Sequence, residues 1–461
     1  MSVEAVLDAQ LGLIIAPAGC GKTHLITNVL ANPSTKPYLV LTHTTAGVTA
    51  LKQRLRRLSV STSNYVIATI DGWASKIANF FPISCPIQSK PDQAKVFYPE
   101  LRRATLDLLC SGQINEIITA SYSRLLVDEY QDCNLTQHKI IKALSDCIPT
   151  VVFGDPMQCI FDFSEQMPHW INDVEGYFPL LTSLNMPWRW INAGTHELGE
   201  WILASRELLL NNQPINLNTC PRYVSCFNKN DFQNQQKTLY RINNNYREES
   251  ILVIGDPKNP ESRHRFAKFS KILDVVEPVE LSDVIKAATL FDNTEGLTLV
   301  EHLLTSSASM MTNVEKERII QRLRSIQKGK NRNPPTQIEK LLLSLAQKKS
   351  REKILHVLQH LENKTGTRVY REVVFEALKD SISLAISVPK QSMLESASKI
   401  REQRRQRGDK RIPKLAIGST LLLKGLESDH VLILDANKMN SRNLYVALSR
   451  GAKSITVFKA S

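Results

Sequence analysis

A short glycine-rich segment near the start of the chain has the residue types that bind phosphate. It follows an apolar, strand-like run at 11–15, and a helical pattern at 24–30 comes after it. Glycines let backbone N–H groups point at phosphate oxygens, and a helix N-terminus favours negative charge there. Lys22 would reach the β- and γ-phosphates, and the Thr23 hydroxyl would ligate Mg²⁺. The predicted nucleotide-binding residues are Ala16, Pro17, Ala18, Gly19, Cys20, Gly21, Lys22 and Thr23.

Two adjacent carboxylates, Asp128 and Glu129, follow another apolar run at 125–127. Asp128 would hold Mg²⁺, and Glu129 would take a proton from an attacking water. The pair therefore predicts hydrolysis of a nucleoside triphosphate rather than binding alone. The plain alternative is an acidic turn after any strand, and the phosphate loop upstream argues against it.

Short apolar runs alternate with helical patterns through the first 190 residues, and the same alternation returns late in the chain. Runs this short and apolar fit strands that are buried on both faces of a parallel sheet. Two stretches, 75–120 and about 270–408, are mostly helical in pattern and interrupt the alternation. We therefore expect an α/β fold with two parallel sheets, each carrying a largely helical insert. The predicted strands are 11–15, 38–41, 125–127, 151–153, 251–254, 415–417, 431–434 and 455–458.

Several segments resemble, in the right order, the motifs of superfamily 1 helicases of the UvrD/Rep type. Residues 128–137 resemble motif II, 151–163 motif III, 424–434 motif V and 443–453 motif VI. The resemblance covers roughly residues 10–260 and 412–461. It implies two RecA-like P-loop domains, with ATP in the cleft between them.

The resemblance also implies domain boundaries. RecA-like domain 1 would comprise residues 1–74 and 121–186, with a helical insert at 75–120. RecA-like domain 2 would comprise residues 187–270 and 409–461, with a helical insert at 271–408.

Further residues acquire roles around the nucleotide from the same resemblance. Gln158 would sense the γ-phosphate, and Arg450 would act as an arginine finger from the second domain. Arg189 occupies the place of the motif IV arginine, and Glu427 would contact the ribose. Gln10 lies too close to the phosphate loop to be the family's adenine-reading Gln, so selectivity for adenine is left open.

Aromatic and hydroxyl side chains in the segments that resemble motifs Ia, Ib and III are the candidate contacts to single-stranded DNA. They are Thr42, His43, Thr69, Trp73, Phe161 and Phe163. Stacking on an aromatic ring tolerates any base, as a translocating motor requires. Trp73 and Phe163 are the predicted stacking residues, and Thr42 and Thr69 the predicted phosphate contacts. A core position is the alternative for the aromatics, and for Phe161 the two alternatives carry equal weight.

The composition is that of a basic globular protein. Of 461 residues, 42% are hydrophobic and 22% charged, which excludes wholesale disorder. The net charge of +13 favours a polyanionic partner, nucleic acid before an anionic membrane, although a merely basic surface would carry the same charge. The eight cysteines form no CxxC pair, so neither a zinc site nor a disulfide scaffold is indicated. No run approaches the length of a membrane span, and a reduced, cytoplasmic setting is expected.

The leading interpretation is an ATP-dependent translocase or helicase that acts on single-stranded DNA or at single/double-strand junctions. The resemblance implies movement from 3′ to 5′. A compact chain of this type is also similar to the helicase component of Gabija-type anti-phage systems, so a nuclease is a candidate partner. The alternative is a nucleotide- and DNA-sensing regulatory subunit that gates a partner nuclease without processive unwinding. A P-loop kinase would leave Glu129, Gln158 and Arg450 without a role.

Overall fold

The computed structural model describes residues 3–90, 93–161, 165–227, 231–407 and 413–459. Packing divides the chain into two units, one of residues 1–225 with 439–454 and one of residues 226–438 with 455–461. This division differs from the predicted boundary at residue 186, and it groups residues 439–454 with the first unit. Among the described residues, no helix combines the length and apolar character needed to cross a bilayer.

Strands and helices alternate in both units. The strands are β1 (Leu11–Ile15), β2 (Tyr38–Thr42), β3 (Tyr65–Thr69), β4 (Leu125–Val127), β5 (Thr150–Gly154), β6 (Leu180–Ser183), β7 (Val224–Phe227), β8 (Ile251–Ile254), β9 (Asp274–Val275), β10 (Leu415–Gly418), β11 (Ser428–Ile433) and β12 (Gly451–Phe458). The helices up to the second unit's insert are α1 (Val3–Asp8), α2 (Lys22–Ala31), α3 (Thr45–Arg57), α4 (Ile70–Phe80), α5 (Ala94–Cys110), α6 (Asn115–Ser121), α7 (Leu135–Ser145), α8 (Trp188–Asn192), α9 (His196–Leu210), α10 (Phe232–Asn245) and α11 (Pro260–Ser270). The remaining helices are α12 (Ser282–Asn293), α13 (Gly296–Met310), α14 (Lys316–Gln327), α15 (Gln337–Gln347), α16 (Arg351–Glu362), α17 (Glu372–Ser387), α18 (Met393–Arg407) and α19 (Ser441–Leu448).

The first sheet has the strand order β3-β2-β4-β5-β1-β6, and its neighbouring strands pair in parallel. Its central strands are almost wholly buried, because apolar side chains leave both faces of each strand. Successive residues point to opposite faces, so Leu13 and Val152 enter one core while Ile14 and Val151 enter the other. Helices cover both faces, as the short apolar runs predicted.

The second sheet has the order β7-β12-β11-β8-β10-β9. In it β8 pairs in parallel with β10 and with β11, and β10 pairs in parallel with β9. Between β9 and β10 lie the seven helices α12–α18, whose buried residues form a core of their own from Leu281 to Ala397. In the first unit, residues 75–120 are also largely helical, with α5 and α6 following the end of α4. The expected α/β class with two parallel sheets and largely helical inserts is confirmed.

Candidate nucleotide-binding and hydrolysis site

The phosphate loop connects β1 to α2. The strand ends at Ile15 and the helix begins at Lys22, two residues before the predicted helical pattern. Gly19 and Gly21 have φ values of +75° and +90°, a left-handed conformation that side chains other than glycine rarely adopt. No side chain caps the first turn of α2. Backbone N–H groups of this turn are therefore available to a ligand in the loop.

Lys22 lies against the acidic pair that follows β4. Its Nζ is 2.8 Å from Asp128 Oδ1 and also contacts Glu129 Oε1. The three side chains meet because β1 and β4 flank β5 in a parallel sheet, so their carboxyl ends share one edge. The predicted meeting of Lys22 with the acidic pair is thus present in the structure.

Burial and charge act against each other at this cluster. Burial alone would lower the pKa of Lys22, but Asp128 and Glu129 raise that pKa above its ordinary value. Burial raises the pKa of Asp128, with Lys22 lowering it and Glu129 raising it further. The ammonium group therefore stays charged and attracts both carboxylates.

Glu129 is held in an unusual backbone conformation. Its φ is +55°, and its N–H donates to Asp128 Oδ1 at 3.0 Å. Gln131, in the short 3₁₀ helix Tyr130–Asp132, donates from Nε2 to Glu129 Oε2. Sequence reasoning missed Gln131, although it lies within the segment that resembles motif II.

Asp155, directly after β5, organises the residues next to Glu129. Its Oδ2 accepts from Gln158 Nε2 at 3.1 Å, and its N–H donates to Gln131 Oε1 at 3.1 Å. Its Oδ1 accepts from Arg206 of α9. Asp155 could have been found as a carboxylate at the same sheet edge as Asp128, whereas nothing in the sequence pointed to Arg206.

Helix α8 lies directly on the phosphate loop. The N–H of Arg189 donates to Gly19 O at 3.1 Å. A Cβ on Gly19 would come within 2.7 Å of the Trp190 ring, and one on Gly21 would come within 3.0 Å of the Trp188 ring. Trp190 is buried, whereas Trp188 is 49% exposed beside the loop. The close approach of both rings is a second reason for glycine at these two positions.

The two arginines predicted to lie across a cleft from Lys22 both belong to the first unit. The side chain of Arg189 donates to Ser449 O. The buried Arg450 guanidinium donates to Val446 O at 2.9 Å and to Ser449 Oγ at 2.8 Å. Both residues were predicted in the second domain, whereas the packing of α8, α9 and α19 groups them with the first sheet's unit.

Tyr445, on α19, reaches the phosphate loop. Its hydroxyl oxygen accepts a hydrogen bond from Ala18 N at 2.9 Å, and its ring is fully buried. Burial raises the pKa of this tyrosine well above its ordinary value, so the hydroxyl stays neutral. Tyr445 lies within the segment that resembles motif VI, but the resemblance assigned it no role.

The donor set fits a magnesium ion that is bound mainly through substrate. Among the described residues there is no group of three or more His, Cys, Asp or Glu that could hold a metal ion. Mg²⁺ bound with a nucleotide needs only one or two protein oxygens besides phosphates and waters. Thr23 at the start of α2 and Asp128 after β4 supply such oxygens. Glu427, predicted at the ribose, is exposed in the loop between β10 and β11 of the second unit.

Two predicted DNA contacts lie at the ends of neighbouring strands. Thr42 ends β2 and is fully buried, and its hydroxyl has no hydrogen-bond partner within the described ranges. Thr69 ends β3 and caps α4, where its Oγ1 accepts from Gly72 N at 2.9 Å. Both hydroxyls therefore lie at the carboxyl edge of the first sheet.

The predicted aromatic contacts differ in exposure. His43 and the half-buried Phe161 form a tilted ring pair with centroids 5.7 Å apart. Trp73 is only 1% exposed and belongs to the core between α4 and the sheet. The expectation that Trp73 stacks on bases is therefore corrected, since its ring is packed inside the protein. Phe163 lies outside the described residues.

Comparison with known proteins gives a match for the N-terminal part of the chain. The family model described as "AAA domain" matches residues 1–164. That segment contains the phosphate loop, the acidic pair and Gln158. A search of curated proteins found no match.

Among solved structures, the chain is similar to the arterivirus nonstructural protein 10 (helicase) in complex with DNA. The identity is 11% and the TM-score 0.29, and the match covers 54% of this chain. The matched region covers 48% of the arterivirus chain, so this chain spans about half of that protein's length.

Proposed function

We propose that this chain is an ATP-dependent motor of the UvrD/Rep type that translocates on single-stranded DNA. The observation that carries the proposal is the contact of Lys22 with both Asp128 and Glu129 at the mouth of a glycine loop. A phosphate-binding lysine, a metal-binding carboxylate and a candidate base lie within reach of one another. This is the set that hydrolysis of a nucleoside triphosphate requires.

Binding of a triphosphate would change the partners of Lys22. The ammonium group would leave the carboxylates for β- and γ-phosphate oxygens, which carry a larger negative charge. Asp128 and Thr23 would then hold Mg²⁺, which when bound neutralises charge on the phosphates. The half-exposed Trp188 ring beside Gly21 is placed to stack on the base of a nucleotide in the loop.

Hydrolysis would rest on Glu129. Freed from Lys22, its carboxylate would accept the proton of the attacking water, while Gln131 fixes its other oxygen. Gln158, held by Asp155, would report the presence of the γ-phosphate. The arginine-finger role of Arg450 would require its guanidinium to leave Val446 O and Ser449 Oγ.

Coupling to DNA would run through the carboxyl edge of the first sheet. The hydroxyls of Thr42 and Thr69 and the ring pair of His43 and Phe161 follow strands of the sheet that also carries Asp128. The net charge of +13 supports a nucleic-acid partner. We further propose movement from 3′ to 5′, a cytoplasmic setting and a nuclease partner in anti-phage defence. These three parts of the proposal rest on the sequence alone.

Steady-state ATPase with and without single-stranded DNA tests the proposal, with Lys22→Ala as the control. Turnover that rises steeply with DNA and disappears in Lys22→Ala is expected. ATP binding with negligible turnover would favour the regulatory subunit that gates a nuclease. Turnover that survives in Lys22→Ala would overturn the assignment of the phosphate loop.

A further inference from the structure

A buried ion pair lies beneath the hydrolysis site. Arg206 of α9 donates to the same oxygen of Asp155, Oδ1, from Nη2 at 2.7 Å and from Nε at 3.1 Å. The side chains are 6% and 0% exposed. Among the described residues, the Arg206 guanidinium also donates to Glu207, whose side chain is 62% exposed. Asp155 is therefore its buried partner.

Charges buried this deeply are costly unless they are paired and fully hydrogen-bonded. Burial would lower the pKa of Arg206, but Asp155 raises it above the ordinary value, so the guanidinium stays charged. A packed apolar pair would give comparable stability in many cores without the cost of desolvation. The pair therefore calls for an explanation in what Asp155 does.

Asp155 Oδ1 also accepts from Met157 N at 3.1 Å, which caps the short 3₁₀ helix Pro156–Gln158. Two further hydrogen bonds of Asp155 lead into the hydrolysis site. Its Oδ2 accepts from Gln158 Nε2, the proposed γ-phosphate sensor. Its N–H donates to Gln131 Oε1, and the amide nitrogen of Gln131 donates to Glu129, the proposed base. The carboxylate is thus shared: Oδ1 accepts from Arg206 and from Met157 N, and Oδ2 accepts from Gln158.

We propose that Arg206 is a positioning residue for hydrolysis: it fixes the Asp155 carboxylate, which in turn orients Gln158 and the Gln131–Glu129 pair. The inference rests on the proposed ATPase function. A flat guanidinium that donates two N–H bonds to one oxygen sets the direction of the carboxylate as well as its charge. A lysine would keep the charge but could not reproduce this geometry.

This inference is tested by measuring DNA-stimulated ATPase activity in the full wild-type chain and in its Arg206→Lys and Glu207→Gln variants. Arg206→Lys is expected to lower kcat roughly 10- to 100-fold while the KM for ATP stays within about twofold, because misplacement of reacting groups slows chemistry more than binding. Glu207→Gln removes the negative charge of the exposed partner of the same guanidinium and is expected to change kcat by less than about twofold.

A double-mutant cycle separates positioning from mere stabilisation of the fold. If Arg206 acts through Gln158, Arg206→Lys and Gln158→Ala combined lower kcat by much less than the product of the single effects. Independent, multiplicative effects would overturn the inference. Asp155→Asn provides a second variant of nearly unchanged volume, and it is expected to show the same loss of kcat at unchanged KM.

The outcomes distinguish this inference from the function on which it rests. Wild-type turnover no higher than that of Lys22→Ala overturns the proposed function, and the inference with it. An active wild type with an equally active Arg206→Lys variant overturns the inference alone. If Arg206→Lys does not fold, wild-type kcat in a folded Asp155→Asn variant overturns it in the same way.

Discussion

At the scale of single residues, the site rests on one positive charge between two negative ones. Lys22 offsets the repulsion between the adjacent Asp128 and Glu129 carboxylates in a partly buried space. The same lysine is the group that a triphosphate would attract. Nucleotide binding and release of the acidic pair are therefore the same event in this account.

Glu129→Gln tests the role of the base. The amide can keep a hydrogen bond to Lys22 but cannot accept the proton of water, so turnover is expected to fall roughly 10²- to 10⁴-fold. ATP binding is expected to persist, because Lys22, Thr23 and the loop amides are unchanged. Equilibrium binding of labelled ATP and phosphate release, measured on the same preparation, check the two halves of this prediction. A variant that turns over at the wild-type rate would exclude Glu129 as the base.

The sequence was informative for residues that act directly and poor for those that support them. Lys22, Asp128 and Glu129 are predictable because their chemistry demands fixed positions after short apolar strands. Gln131 lies inside the segment that resembles motif II and could have been singled out there. Arg206 reaches the site only through the packing of α9. Long-range packing of this kind leaves no local pattern in a single sequence.

Trp73 shows the opposite error. An aromatic ring in a segment that resembles a DNA-binding motif suggested a stacking surface, but the helix turns the indole into the core. Periodicity alone did not decide this, because α4 carries one aromatic side chain in the core and another at its exposed end. Phe80, on the same helix, is 65% exposed.

Phe161→Ala tests the stacking surface that remains. Loss of the ring beside His43 is expected to weaken single-stranded DNA binding by about 1–3 kcal/mol, as removal of one base-stacking ring does. The sequence predicts a similar loss for Phe163→Ala. Fluorescence anisotropy with labelled oligonucleotide checks this, and Trp73→Ala serves as the contrast, expected to cost about 3–5 kcal/mol of folding stability. Unchanged DNA affinity in Phe161→Ala would place that ring among the core residues.

At the scale of elements, the phosphate loop is confined by α8. Residues 187–225 were expected in another domain, but the backbone of Arg189 bonds to Gly19 and the Trp190 ring covers it. Strands β1, β2, β4, β5, β8 and β10 were predicted to within one residue at each end, because buried parallel strands are short, apolar and bounded by polar loops. The predicted starts of β11 and β12 were three and four residues too late, and the edge strands β3, β6, β7 and β9 were not predicted. Domain membership was not predictable, since it depends on which unit a helix packs against.

Gly19→Ala tests the confinement of the loop, with Gly112→Ala as a matched control. Both glycines have φ near +75°, so alanine should strain both backbones by roughly 1–2 kcal/mol. Only at Gly19 would the new methyl group meet an aromatic ring, at 2.7 Å from Trp190, whereas at Gly112 the nearest atom is 3.7 Å away. Thermal melts and ATP binding should show a modest loss of stability in both variants and a loss of binding in Gly19→Ala alone. Equal ATP affinity in the two variants would contradict this view of the loop.

At the scale of the whole molecule, the net charge favours a polyanionic partner. The chain carries a net charge of +13, and its second unit has a helical insert with a core of its own. The basic excess was visible in the composition, whereas the independent core of α12–α18 became clear only from packing.

Salt dependence tests whether this charge is used on nucleic acid. If about six phosphates are neutralised, affinity for single strands should fall on the order of 10²-fold between 50 and 200 mM salt, because bound counterions are released. A titration of oligonucleotide binding at several salt concentrations gives the slope. A slope near zero would assign the positive charge to solubility instead of to a DNA groove.

The most direct test of the central claim is steady-state ATP hydrolysis by the full chain, with and without single-stranded DNA, with Glu129→Gln as the blank. Turnover is expected to rise steeply on addition of DNA in the wild type and to stay at background in the variant. ATP hydrolysis that is indifferent to DNA, or equal in the two proteins, would contradict it.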